Sequence, residues 1–284
     1  MRTVNLIADL RQQVKAWRQR GQKIAFVPTM GNLHAGHMAL VEQARQHADK
    51  VVVSIFVNPM QFGPDEDFDC YPRSLAADSV KLDQAATDLL FAPPVEEVYP
   101  RGHGVASQID VPEVSEGLCG ASRPGHFTGV ATVVAKLFNM VQPDYALFGE
   151  KDYQQLQVIR RMVADLCFPV DIIVVPTTRE ADGLAMSSRN GYLSADERET
   201  APKLYQVMQQ VVQGLAQGRR DYAALEQEGL GVLEAAGFVS EYFSIRQAGS
   251  LKLAQPGMTE LVILVAAKLG KTRLIDNLAC SLVE

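Results

Sequence analysis

No run in the chain is long and apolar enough to cross a bilayer as a helix, which excludes a helical membrane protein. Paired cysteines are missing too. Cys70, Cys119, Cys167 and Cys280 lie far apart with no C-x-x-C, so neither a zinc knuckle nor a disulfide framework is indicated. They read as thiols of a reducing compartment, and a cytoplasmic location is expected. The stretch "MRTVNLIADLRQQVKAWRQRGQK" has arginines but no apolar segment of signal-peptide length. An excess of positive charge is also lacking: 27 Lys and Arg face 33 Asp and Glu, a formal net charge of -6. That argues against the broad basic footprint of a nucleic-acid binder and leaves small anionic ligands open.

What is present is ordinary soluble composition, 47% hydrophobic and 21% charged over 284 residues, enough for one large or two unequal domains. Leu6, Leu10, Val14 and Trp17 recur at helical spacing and predict an amphipathic first helix. Short β-branched runs then alternate with helical periods. "KIAFVPT", "KVVVSIFVN", "TDLLFAPP", "DYALFGE" and "VDIIVVPT" read as five strands. Near-continuous apolar strands are buried on both faces, and their alternation with helices predicts a parallel sheet. After "READGLAMSSRNGYLS" the pattern changes to helices around 196 to 217 and 221 to 236, followed by "EYFSIRQ" and "TELVILVAAKLGKTRLIDN". The expected fold is α/β, with a Rossmann-like parallel-sheet nucleotide-binding domain over residues 1–176 and a smaller C-terminal α+β domain over residues 177–284.

In "VPTMGNLHAGH" an apolar strand ends near Thr29 or Met30, Gly31 and Asn32 make a turn, and a helix begins close to Gly36. His34 and His37 thus sit at a strand-to-helix turn, where open α/β sheets bind ligands. Unsatisfied N–H groups and the positive helix end favour an anion such as phosphate there. Gly36 lets a nucleotide approach the backbone, and donor imidazoles can neutralise charge developing on a phosphate oxygen. H-x-x-H supplies only two metal ligands, with no cysteine pair or H-E-x-x-H glutamate nearby, so structural zinc is rejected.

The H-x-G-H segment after a strand resembles the nucleotidyl-transfer signature of class I aminoacyl-tRNA synthetases and small adenylyltransferases. "MSSRN" takes the place of that superfamily's second phosphate loop; Ser187 and Ser188 can donate hydroxyl bonds and Arg189 offers a planar fork. The ordered set "PTMGNLHAGH", "VSIFVNPMQF", "YPR", "SRPGHF", "FGEKDYQQL" and "DGLAMSSRNGYL" resembles the pantoate–β-alanine ligase family over essentially the whole chain.

That resemblance implies an ATP-dependent condensation of (R)-pantoate with β-alanine through a pantoyl adenylate, releasing pyrophosphate and AMP. It implies His37, His34 and Lys151 as catalytic residues. It assigns ATP to Met30, Gly31, Asn32, Leu33, His34, Ala35, Gly36, His37, Gly149, Glu150, Lys151, Asp152, Thr178, Met186, Ser187, Ser188 and Arg189. It assigns pantoate or β-alanine to Gln61, Gln155 and Asn58, and a magnesium ion to Asp78. ATP is then a substrate, accompanied by Mg2+, and the partners are small molecules and a second copy of the chain in a homodimer, with no nucleic acid and no membrane. Arg123 and His126 can guide pyrophosphate or substrate at the entrance, an ordinary capped loop being the bland reading. Two departures stand out: "MSSRN" has no lysine, and position 178 is Thr where an apolar residue beside adenine is expected. The alternative reading is a nucleotidylyltransferase that stops at adenylyl transfer.

Overall fold

The computed structural model describes residues 1–282 apart from 65 and 67. By internal packing the chain divides into two units, residues 1–150 with 158–176, and residues 151–157 with the described residues from 177 onward. The stretch 151–157 therefore goes with the C-terminal unit, although it lies within the first 176 residues.

The first unit contains β1 (Arg2–Val4), α1 (Ile7–Arg18), β2 (Ile24–Thr29), α2 (Ala35–His47), β3 (Lys50–Ile55), α3 (Leu75–Gln84) and β4 (Leu89–Phe91). It continues with α4 (Val95–Val98), α5 (Leu118–Ser122), α6 (His126–Val141), β5 (Tyr145–Gly149), the C-terminal part of α7 (Tyr153–Asp165) and β6 (Asp171–Val175). The six strands form one parallel sheet in the order β1-β4-β3-β2-β5-β6. The five strands expected from the β-branched runs are β2 to β6. The sixth, β1, is too short to show a period. It pairs its three residues with Leu89, Leu90 and Phe91 at the sheet edge. Leu6 precedes α1 as an exposed cap residue, so the buried stripe of that helix is Leu10, Val14 and Trp17 alone.

Chain order makes the sheet useful. From β2 it runs outward through β3 to β4, then returns to place β5 on the other side of β2. That reversal is a topological switch point, with its crevice at the carboxyl ends of β2 and β5. Pro28 contributes to the crevice. Proline has no N–H to donate, and the β2–β5 ladder covers only Ala25↔Tyr145 and Phe26↔Ala146, whereas β2–β3 pairing runs on to Thr29↔Ile55.

The second unit contains α8 (Ala195–Thr200), α9 (Lys203–Ala216) and α10 (Tyr222–Ala235), followed by the strands β7 (Phe238–Gln247), β8 (Glu260–Leu269) and β9 (Thr272–Ser281). The strands form an antiparallel sheet in the order β7-β8-β9. The helix expected over 196 to 217 is two helices, because Pro202 cannot donate to the turn before it and starts α9 afresh. Leu204, Val207, Val211 and Leu215 of α9 and Leu225 and Leu233 of α10 share a core with Phe243, Ile263 and Val265 of the strands. Each such side chain contributes about 1.5–3 kcal/mol of burial. The β8–β9 turn has Gly270 at φ +56 as its first residue, where a II′ hairpin calls for glycine.

Candidate active site

The turn leaving β2 is built from backbone donors around one carboxylate. Thr29 Oγ donates to Ser54 O at 2.7 Å and accepts from Gly31 N at 3.2 Å, which starts the bend. Gly31 and Asn32 then adopt positive φ, +87 and +50, a pair that glycine and asparagine tolerate best. This aims the Asn32 and Leu33 N–H groups at Asp78, at 2.8 and 2.9 Å. Ser74 Oγ adds a third donor at 2.9 Å, and Lys81 Nζ holds Leu33 O at 2.6 Å.

Asp78 is fully buried with three donors on its two oxygens. The carboxylate faces inward as the acceptor that shapes the turn. Among the described residues no three His, Cys, Asp or Glu side chains form a group able to hold a metal.

His34 is the N-cap of α2. Its Nδ1 accepts from Gly36 N at 3.2 Å, while His37 Nδ1 accepts from His34 N at 3.2 Å. Since both Nδ1 atoms accept, each neutral ring carries its proton on Nε2. The two rings lie 4.1 Å apart, centroid to centroid. No acidic residue sits in the first turn of α2, so no side-chain carboxylate there offsets the positive end of the helix dipole. Ala35 is exposed, and Gly36 half-buried. Beside Met30 and Gly31 a cavity of about 280 Å³ opens at the carboxyl ends of β2, β3 and β4, walled by Ile55, Phe56, Val57 and Phe68 among others.

Gln61 closes a 3-10 turn at Pro59–Gln61 and is nearly buried. Asn58 Nδ2 donates to Gln61 Oε1 at 3.1 Å, which directs the Gln61 amide nitrogen to Met30 Sδ, 3.1 Å away. A thioether is a weak acceptor, and a substrate oxygen would displace it. Asn58 itself is saturated. Its amide nitrogen also donates to Gly129 O at 3.1 Å, and its oxygen accepts from Tyr99 Oη at 2.9 Å and Met60 N at 3.3 Å. With its hydrogens and lone pairs committed and 1% exposure, Asn58 holds the Gln61 side chain in place. Burial raises the Tyr99 hydroxyl above its ordinary pKa, so it stays a neutral donor. Gly149 ends β5 with open space where a Cβ would stand, and Glu150 N donates to Val175 O at 2.9 Å.

In the second unit, residues 178–186 form a small hairpin: Met186 N donates to Thr178 O at 2.9 Å, Glu180 N to Leu184 O at 2.8 Å, and Arg179 bridges Ala185. The hairpin is stapled to β9. Arg179 meets Asp276 with both terminal nitrogens, at 2.6 and 3.0 Å, and donates to Gly183 O at 3.1 Å. Its guanidinium stacks 3.7 Å from the Tyr205 ring centre. Burial pushes the Asp276 carboxyl up, against the pull of Arg179. Ser187 Oγ accepts from Arg189 N at 3.2 Å and begins the 3-10 turn Ser188–Tyr192, leaving Ser187, Ser188 and Arg189 half-buried.

The adjacent Asn277 donates to Lys151 O at 2.8 Å. One dipeptide in β9 thus fixes both the hairpin that leads into Ser187 and the backbone of Lys151, one residue before Asp152 and four before Gln155. Arg179, Asp276 and Asn277 were not singled out from the sequence. The available signal was an acid and an amide side by side in "TRLIDN", within an otherwise apolar strand.

A parallel sheet with an anion-seeking histidine turn at its switch point defines a nucleotide-binding α/β enzyme of the H-x-G-H type. The comparisons narrow that class. The family model for pantoate-beta-alanine ligase matches residues 2–279. A Pseudomonas putida protein named pantothenate synthetase is 59% identical over 284 residues, covering 100% of this chain and 99% of its own. The crystal structure of pantothenate synthetase from Thermus thermophilus superposes with a TM-score of 0.91 at 48% identity, covering 98% and 99% of the two chains. The Francisella tularensis pantoate-beta-alanine ligase, solved in complex with beta-gamma ATP and beta-alanine, superposes with a TM-score of 0.83 at 36% identity, covering 98% and 97%. The chain belongs to the pantoate-beta-alanine ligase family and is a carbon–nitrogen bond-forming ligase.

Proposed function

We propose that the chain condenses (R)-pantoate with β-alanine in two half-reactions that share one ATP. In the first, a pantoate carboxylate oxygen attacks the α-phosphorus, the bond to the bridging oxygen breaks, and pyrophosphate leaves. In the second, the neutral amine of β-alanine attacks the acyl carbon of the adenylate, AMP leaves, and the amine gives up a proton. No enzyme nucleophile is required. The barrier is met by positioning and by charge stabilisation at phosphorus.

The observation that carries this reading is the His34–His37 turn: two imidazoles whose Nδ1 atoms are used by the backbone, each carrying its donor on Nε2, at the head of a helix on the switch point. In the proposal these donors and Lys151 take the phosphates, with His37 nearest the leaving bridge oxygen. Residues Met30 to His37 cradle the nucleotide. Gly149 and Asp152 hold the ribose, with Glu150 beside them, and Thr178 and Met186 flank the base. Ser187, Ser188 and Arg189 close on the triphosphate, and Gln61 and Gln155 read pantoate. Residues 177–284 act as a lid that keeps water from the adenylate. Magnesium, in this reading, rides on the triphosphate with few protein ligands. A cytoplasmic homodimer belongs to the same proposal, resting on the family likeness; sedimentation at micromolar concentration tests the dimer.

The deciding experiment is isotope exchange. Protein, ATP and pantoate should move labelled pyrophosphate into ATP without β-alanine, and adding β-alanine should yield pantothenate and AMP in equal amounts. Exchange without amide formation would instead favour a nucleotidylyltransferase, and absence of pantoate-dependent exchange would reject both half-reactions.

A further inference from the structure

The loop before α6 is built around the backbone of Gln61. His126 Nδ1 lies 2.8 Å from Gln61 O, and Arg123 Nη2 donates to the same carbonyl at 3.3 Å. The tautomer follows from the partner on the other side of the ring. Arg123 Nη1 sits 2.9 Å from His126 Nε2, and a guanidinium can only donate, so Nε2 accepts and the proton on Nδ1 is the one given to Gln61 O. Arg123 is itself aimed by Glu66, which takes Nε at 2.6 Å and Nη2 at 2.5 Å. Burial of Glu66 works to raise its pKa, but the Arg123 contact outweighs it and holds the carboxyl below its ordinary value. From beneath, α6 comes so close that a Cβ on Gly129 would collide with Met60 O and Gln61 N.

We propose that Arg123 and His126 are positioning residues that set the pantoate contact by fixing the Gln61 main chain, while Asn58 fixes the Gln61 side chain. This rests on the reading of Gln61 as a pantoate ligand. The brace grips the peptide from the carbonyl side and the amide from Oε1, which leaves the Gln61 amide nitrogen on the weak thioether acceptor of Met30, a bond that a substrate oxygen would displace. Arg123 spends its donors on Glu66, His126 and Gln61 O, which accounts for an arginine: a lysine ammonium cannot span a fork and two further acceptors.

The test is steady-state kinetics of pantothenate formation with pantoate and ATP varied separately. His126→Ala removes the donor to Gln61 O and should raise the KM for pantoate about tenfold with the KM for ATP within about twofold. His126→Asn keeps an N–H near the position of Nδ1 and should recover most of that loss, which a merely structural histidine would not require. Arg123→Lys should raise the pantoate KM as well, and it carries the measurement if His126→Ala does not fold. Gln61→Ala is the reference for full loss of the contact. Wild-type protein that makes no pantothenate removes the functional reading itself. With wild-type turnover intact, a normal pantoate KM in Gln61→Ala, an asparagine no better than alanine at 126, or parallel rises in both KM values would overturn the brace.

Discussion

Two loops of this molecule, one in each unit, are held in place by a buried aspartate, and they are held in different ways. Asp78 accepts from two backbone N–H groups and a hydroxyl. Asp276 faces a guanidinium in a two-bond fork and takes one backbone N–H, from Asn277, at 2.8 Å. The first arrangement ties the acceptor to the conformation of the turn: the donors converge only while Gly31 and Asn32 keep their positive φ. The second ties one side chain to another and leaves the hairpin backbone to its own cross-strand bonds. A carboxylate solvated by peptide groups fixes geometry, whereas one neutralised by arginine fixes attachment.

The largest contrast lies in the chemistry each unit is read to supply. His37→Ala removes both the Nε2 donor and the acceptor that caps His34 N, while His37→Asn keeps an acceptor near the position of Nδ1 and loses only the Nε2 donor. Both should slow pantoate-dependent pyrophosphate exchange by roughly 10²–10⁴-fold, and only alanine should also lower stability, by about 1 kcal/mol. Lys151→Ala in the second unit should slow exchange to a similar degree with no change in melting temperature. Asparagine at 37 with near-normal exchange would mean that the turn serves only as a helix cap.

The aspartates themselves come next. Asp276→Asn leaves Arg179 buried against a neutral amide and should cost about 3–5 kcal/mol in denaturant unfolding. Asp78→Asn swaps one acceptor oxygen for an NH2 facing donors and should cost about 2–3 kcal/mol. The activity ranking should invert. At temperatures where both variants stay folded, Asp78→Asn should raise the KM for ATP more, because the histidine turn loses its shape, whereas the hairpin before Ser187 keeps its own backbone bonds. Equal effects on both measures would erase the distinction between fixing geometry and fixing attachment.

These partnerships also mark where the sequence stopped being informative. The parallel sheet was legible because β2 and β3 are near-continuous β-branched runs, and the histidine turn because Gly31 and Asn32 interrupt a strand just before a helical period. Local chemistry is readable because its partners sit within one turn of chain. The two backbone donors of Asp78 lie 45 and 46 residues before it, and the partner of Arg179 is 97 residues on. Nothing in periodicity names such partners. β1 escaped notice for a simpler reason, since three residues cannot display an alternation. Helical periods run on either side of Pro202, so one helix over 196 to 217 fits the pattern although the proline divides it.

The smallest effect separates the two ends of the same strands. At the amino ends of β2 and β5, Asp144 accepts from Ile24 N at 2.9 Å and from Lys23 Nζ at 2.9 Å, with Arg18 at 3.5 Å, far from the histidine turn along the sheet. Partial burial works to raise its pKa, and the Ile24 N–H together with Lys23 and Arg18 more than reverses that, holding the carboxyl below its ordinary value. A carboxylate lowered on folding stabilises the native state above its unfolded pKa, and that contribution disappears as pH falls through the folded value. Lys23 and Arg18 are largely exposed, so most of the gain comes from the backbone bond, and Asp144→Asn should cost about 1 kcal/mol at pH 7. Urea unfolding should show that gap holding from pH 7 to about pH 5 and closing below about pH 4, with both KM values unchanged at neutral pH. A gap that persists in acid would remove the charge from the account. A changed KM would show that the amino ends of these strands reach the site after all, and that the division of the sheet into a stabilising end and a binding end is wrong.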